Sequence, residues 1–377
     1  MSAARWRKAM NSGAGAAGFD AHSHPVGRVA PAGAPRHTGT GETRPTWERI
    51  RDAISPHHIV VLVGLLVFPF VASPFLTFQV AGQSLALGLV ALSLMFLAGY
   101  GGMVSLAQMT VAGVAGYTLA ILGTSSTAIS LGWPWPMAIL VALAAGTLAS
   151  VLIGWLSVRT EGIYTIMITL AMGVAFYYLC LQNYTVFNGF QGFQKVHPPM
   201  VLGVDWRSPV PFYFLVLSLA LLGYFAVKYI ARAPFGVALQ GIRDNPRRMN
   251  ALGYNVTAHR VAAYAVAGLI ASVGGVLLVW YNGLITPGSV GTSWLINVLV
   301  IAVLGGMRHP IGPFLGAIVF VLLQTFAVDV IDRERFNLVI GVAFLAIVLF
   351  SPDGLLGLWA HLRARLQGGR SVSTSLR

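Results

Sequence analysis

The chain has 377 residues, 56% hydrophobic and only 9% charged, where a soluble domain carries roughly 45–50% and 25%; most of it is committed to lipid. The net charge of +13 is unevenly spread and forms no basic stripe with interleaved aromatics, so it reports membrane topology and not nucleic-acid binding. The single cysteine, Cys180, sits in an apolar segment, which excludes a disulfide framework and a thiolate metal site and reads as packing.

Residues 1–56 are rich in Ala, Gly, Ser, Pro and Arg, without apolar periodicity or a run long enough for a signal-peptide core. They read as a disordered basic cytoplasmic tail, either simply solvated or touching anionic lipid. Residues 57–353 read as an all-α polytopic membrane domain, and 354–377 as a cytoplasmic C-terminal tail. Apolar segments lie at about 58–75, 79–98, 104–123, 135–158, 162–183, 211–230, 261–281, 293–307, 311–328 and 336–352, which is about ten crossings. Trp133, Trp135, Trp155, Trp206, Trp280 and Trp294 fall near segment ends, where an aromatic belt would place them.

With the N-terminal tail inside, ten crossings put the loops at 98–103, 159–161, 231–260 and 308–310 in the cytoplasm, together with the C-terminus. Of the 24 Lys and Arg residues, only Lys195, Arg207, Arg333 and Arg335 then lie outside, the asymmetry that the positive-inside rule requires. Two stretches, 94–108 and 301–316, each run apolar, reach Gly-Gly-Met and resume apolar. This is either a parallel duplication or a coincidence among 43 glycines; Gly-broken segments in matching halves are where transporters build substrate sites.

The longest polar interruption after the N-terminal tail is 231–260. Phe235, Ala238, Leu239 and Ile242 recur at helical spacing, with Gln240, Arg243 and Asp244 on the other side, so an amphipathic helix of about three turns is predicted. Asn245 as N-cap and Pro246 at the first helical position start a second short helix to Leu252, and Gly253 stops it. Lys228, Arg232, Arg243, Arg247, Arg248 and Arg260 stand against one acid, Asp244. Such a loop either only fixes topology or is a socket for another protein.

The apolar segment cores hold no Asp, Glu, His, Arg or Lys, so there is no intramembrane carboxylate or histidine to carry a coupling proton. A G-x-x-x-x-G-K-[ST] loop is missing too, and the apolar segments hold no Ser/His/Asp grouping within one membrane face and no His or Cys pair at ligand spacing. The energy therefore comes from a separate subunit, or the flow is passive. Ser105, Gln108, Tyr164, Thr165 and Thr169 are neutral polar groups at or within apolar segments. They either line an aqueous path or bond their own helix carbonyls. The outer loop 184–210, with Lys195, Asp205, Trp206 and Arg207, is either a docking surface or a connector.

The run PFGVALQGIRDNPRRMNALGYNV resembles the cytoplasmic coupling loop of LivM-type permeases, the membrane subunits of ABC importers for branched-chain amino acids and related amides; Asn250 stands where members often carry Glu. Three further stretches extend the resemblance over about 80–350. ALSLMFLAGYGGMVSLAQMTVAGVAGY carries Gly99, Gly102, Ser105 and Gly113, with Met95 where members usually have Asn. VRTEGIYTIMITLAMG carries Arg159, Gly162, Tyr164 and Thr169. ITPGSVGTSWLINVLVIAVLGGMRHPIGPFLGA carries Pro287, Ser293, Gly305, Gly306, Gly312, Pro313 and Gly316.

The resemblance implies a permease in the bacterial inner membrane, both termini cytoplasmic, with no catalytic or metal site and no cofactor of its own, ATP being bound by partner subunits. Its partners would be a second permease subunit, two ATP-binding cassette subunits, an extracytoplasmic solute-binding protein and membrane lipid. The coupling segment would comprise Phe235, Gly236, Leu239, Ile242, Arg243, Asp244, Asn245, Leu252 and Gly253, with Phe235, Arg243 and Asp244 touching the ATPases. Ser105, Gln108, Tyr164, Thr165, Thr169 and Pro287 would line the path. The first substrate expectation is leucine, isoleucine and valine, and the next is urea or short amides. The alternative is a passive homo-oligomeric channel or facilitator for a small neutral solute.

Overall fold

In the computed structural model, which describes residues 56–125, 130–160, 162–200, 203, 205–330 and a few positions between 341 and 357, the chain begins with helix α1 (Pro56–Val71). It breaks at Ser73-Pro74, where the residue before proline is steered away from helical dihedrals. Helix α2 (Leu76–Tyr100) follows, with the wider π-type winding over Leu76–Gly82 and Phe96–Tyr100. The expected N-terminal tail (apart from Pro56), nearly all of the expected crossing at 336–352 and nearly all of the C-terminal tail at 354–377 lie outside the described residues.

Next come α3 (Gln108–Leu122), α4 (Trp135–Ser157) and α5 (Ile163–Gln182). After a loop come α6 (Pro209–Arg232), the short pair α7 (Pro234–Asp244) and α8 (Pro246–Ala251), and the longest described helix, α9 (Val256–Asn282). Helices α10 (Thr292–Gly305) and α11 (Gly312–Val330) follow. Two strands, β1 (Phe193–Gln194) and β2 (Leu284–Ile285), pair antiparallel with Phe193 opposite Ile285. This pair is a small addition to the expected all-α architecture.

Helix α2 is apolar on every side, and a helix of that kind must be buried on every side. Ala86, Leu87, Leu89, Val90, Leu92 and Leu94 are all fully buried. Helix α9 packs against α2, α3 and α4, while α11 packs against α2 and α10. Small residues let these backbones close up, as lipid-embedded helices require. A Cβ on Gly275 of α9 would stand 2.1 Å from the Ala112 carbonyl oxygen of α3. Ser150 of α4 donates to the Tyr264 carbonyl of α9 at 2.7 Å.

The expectation of about ten full crossings is not met by the described residues. Five helices are long and apolar enough to span: α2, α4, α5, α6 and α9. The crossing expected at 104–123 shrinks to the 15 residues of α3, about 22 Å against a hydrocarbon core of about 30 Å. The glycines cause this. Gly102 takes φ +67°, and the Met103 amide turns back to the Leu97 carbonyl at 3.0 Å, so the chain spends 104–107 turning into α3. Gly306, at φ +103°, ends α10 after 14 residues.

Both Gly-Gly-Met stretches thus terminate helices, and they meet: a Cβ on Gly99 would fall 2.4 Å from the Met307 carbonyl. The helices before them are unlike, 25 residues in α2 and 14 in α10. The tryptophans divide. Trp135 and Trp155 are exposed at the two ends of α4, about 30 Å apart by helix rise, as a belt requires, and Arg159 lies 4.3 Å over the Trp155 ring. Trp280 is instead buried in the core.

Candidate functional site

The polar loop forms two helices, α7 and α8, at one end of the bundle. Gly236 allows the tight return from α6, because a Cβ there would stand 2.1 Å from the Ile230 carbonyl. Gln240, placed by its spacing on the polar side, turns back and donates to the carbonyls of Ala231 at 2.9 Å and Gly236 at 3.1 Å. It thereby satisfies part of the open C-terminal end of α6. Leu239 and Ile242 have no exposed surface, and α7 packs against the last turn of α2, Phe96–Tyr100.

Arg243 completes that contact. Its Nη1 donates to the Gly99 carbonyl in the last turn of α2, and its Nε lies 2.9 Å from Asp244 Oδ1. A cation at a helix C-terminus meets the negative end of the dipole and fills an orphan acceptor. The arginine stem lies on Gly102, where a Cβ would come within 2.6 Å of Arg243 Cγ. This helix end therefore needs glycine at 102 both for its dihedral and for the stem above it.

The nine residues expected to form the coupling segment thus divide. Gly236, Leu239 and Ile242 face inward and dock α7 on its own chain. Asp244, Asn245, Leu252 and Gly253 are exposed. Phe235 is half-buried and stacks on His259 at 5.9 Å, and Tyr254 meets the same imidazole edge-on at 5.7 Å. Asn245 caps α8 as predicted, its side chain accepting from the Arg248 amide at 3.0 Å. Arg243, expected to touch a partner, is exposed and also bonds within the chain to Gly99 and Asp244. Two exposed apolar residues escaped the sequence reading: Val237, 60% exposed, and Tyr254, 42% exposed. Val237 was recoverable, since it falls on the side of α7 opposite Leu239 and Ile242.

The neutral polar residues also divide. Thr169 is buried and accepts from the Leu106 amide at 3.1 Å, joining α5 to the turn that holds Ser105. Gln108 is buried; its Oε1 accepts from Ser93 at 3.0 Å, while its Nε2 has no hydrogen bond. Thr165 and Thr169 bond the local carbonyls of Thr160 and Ile166. Tyr164 does not join this group: it lies 69% exposed on the outer flank of α5, rotated one residue from the inward stripe Thr165, Thr169, Gly173 and Cys180. Pro287 is buried in the loop after α9, in a turn that packs against α5 and α3.

In the loop between α5 and α6, Arg207 Nη1 lies 3.0 Å from His197 Nε2. A guanidinium can only donate, so this nitrogen accepts and the imidazole is neutral. Burial, with Arg207 adding to it and Asp205 opposing, pushes His197 below its ordinary 6.5. The unfolded chain then takes this proton more readily than the folded one, so the stabilisation is complete above pH 6.5 and is lost as pH falls through and below it. Melting is expected to be slightly lower at pH 5 than at pH 7 through this group, and His197→Gln is expected to remove that component.

No solved structure matches the chain. Over 331 residues it is 26% identical to the high-affinity branched-chain amino acid transport system permease LivM of Salmonella typhimurium, covering 79% of this chain and 74% of that one. The Escherichia coli LivM gives 26% over 325 residues, with 78% and 74% covered. The autoinducer 2 import system permease LsrC of an Enterobacter species is 25% identical over 317 residues, with 81% and 88% covered. Residues 76–348, well over half of the chain and including every spanning helix and the α7–α8 surface, match the family described as branched-chain amino acid transport system / permease component. The protein is a multi-pass membrane protein that belongs to this permease family.

Proposed function

We propose that the chain is one permease subunit of an ATP-driven importer in the bacterial inner membrane, moving branched-chain amino acids inward, and that it has no enzymatic site of its own. ATP is bound by two separate cassette subunits, a second permease completes the membrane part, and an extracytoplasmic binding protein delivers the solute. The observation that carries this reading is the α7–α8 surface, docked on the last turn of α2 by its buried face and exposing Val237, Asp244 and Leu252. A passive pore has no use for such a device. The two LivM relatives, named for branched-chain amino acids, support the choice of solute, and the excess of basic residues around α7 and α8 supports a cytoplasmic location.

The test is co-purification of the chain with P-loop ATPases from its own cell membranes. Val237→Asp with Leu252→Asp is expected to lower their recovery tenfold or more, because both side chains are already exposed and their replacement leaves the buried face of α7 intact. Undiminished recovery, or ATPases that never associate with the unaltered chain, would remove this surface from the coupling role.

A further inference from the structure

At the end of α9 remote from α7 and α8 lies a partly open cavity of about 140 Å³, lined by α2, α3, α9, the loop after α9 and Trp294 of α10. Helix α9 has 27 residues, so about 40 Å of helix separates its two ends. Leu87, Met109 and Val290 form much of the apolar part of the wall, and Gln83, Asn282 and Ser289 the polar part; among the described residues no ionisable side chain lines the cavity. A cavity of about 150 Å³ holds a benzene-sized solute, so this one has room for a short branched aliphatic group. Exposed Asn282 stands at the rim.

The two amides are not free to present either end. Gln83 Oε1 accepts from the Tyr281 hydroxyl at 3.3 Å, which leaves the Gln83 Nε2 hydrogens to donate. Asn282 Nδ2 donates to the Leu278 carbonyl at 2.9 Å, which leaves Asn282 Oδ1 to accept. The cavity therefore offers one donor, one acceptor and an aliphatic wall, without net charge.

We propose that this cavity is the permease's receiving site for a small zwitterionic amino acid with an aliphatic side chain. Asn282 Oδ1 takes the ammonium group, Gln83 Nε2 takes the carboxylate, and Leu87, Met109 and Val290 hold the side chain. Neutral amides in place of ionised partners keep the hold weak, as a site that must release its cargo onward requires. The inference rests on the importer reading for its direction, since it makes this the end that faces the binding protein.

The test uses the full chain in lipid nanodiscs, with leucine, leucinamide and 4-methylpentanoate as probes at up to 10 mM. Leucine binding is expected to weaken tenfold or more in both Asn282→Leu and Gln83→Leu. Leucinamide, which lacks the carboxylate, is expected to be insensitive to Gln83→Leu, and 4-methylpentanoate, which lacks the ammonium, to Asn282→Leu. As a check independent of those variants, leucine is expected to protect Ser289→Cys from a maleimide. The inference is overturned if unaltered chain binds no leucine at 10 mM, if both amide variants bind it as before, or if the cysteine is not protected. These readouts need no ATPase, so the cavity and the α7–α8 surface stand or fall separately.

Discussion

Replacing Arg243 with alanine is expected to cut ATP-driven uptake tenfold or more while the ATPase subunits remain attached and continue to hydrolyse ATP. Arg243 is the only described side chain that donates from α7 to the end of α2, at the Gly99 carbonyl. A hydrogen bond from a charged donor contributes about 1.5–3 kcal/mol, and 1.4 kcal/mol is a factor of ten in an equilibrium. Without it, movement of α7 no longer draws α2 along. The exposed residues Val237 and Leu252 are untouched by the change and Asp244 loses only an exposed ion pair, so attachment should survive. Arg243→Lys is expected to recover only part of the uptake, because an ammonium is a point donor and lacks the guanidinium fork that reaches both Gly99 and Asp244. Uptake and hydrolysis measured together in proteoliposomes decide the matter. Unchanged uptake in Arg243→Ala would show that α7 drives the bundle through its apolar contacts alone.

Gly275→Val is expected to be strongly damaging to the fold. The Cβ would meet the Ala112 carbonyl oxygen at 2.1 Å and its Cα at 2.6 Å. These are backbone atoms, which cannot swing aside as a side chain can, so α3 and α9 must separate. Overpacking of this kind costs about 3 kcal/mol, and melting of the solubilised chain should fall by about 5 °C or more. Gly64→Ala is the control: nothing lies within 4 Å of the position its Cβ would take, and since alanine is the better helix former no loss of stability is expected. A Gly275→Val protein that melts with the parent would mean that α3 and α9 do not approach as closely as this geometry requires.

The two halves of the coupling segment differ in how far the sequence disclosed them. Asn245-Pro246 and Gly253 mark the ends of α8 through local chemistry, and these signals matched the helix within a residue. Leu239 and Ile242 were legible as one apolar face because α7 is amphipathic. Gln240 and Arg243 were not, since each looks outward by spacing yet turns to cap a carbonyl on another helix. Tyr164 and Thr165 are adjacent and both polar, but only the second faces inward.

By itself, the sequence determined what short-range chemistry determines: a lipid-embedded helical chain, the place of most helices, the basic loop and its caps, and the lack of any charge in the spanning cores. Only the tertiary structure decided how far each helix runs, which face of α2 meets α9, where the guanidinium of Arg243 ends, and that Gln83, Asn282 and Ser289 share a cavity. The physical reason lies in the uniform apolarity of the spanning helices. A helix that is apolar on all sides carries no stripe to specify its rotation, so rotation is set by where glycines let two backbones touch, as Gly275 does at Ala112. Those contacts join residues far apart in the chain, beyond the reach of any local pattern.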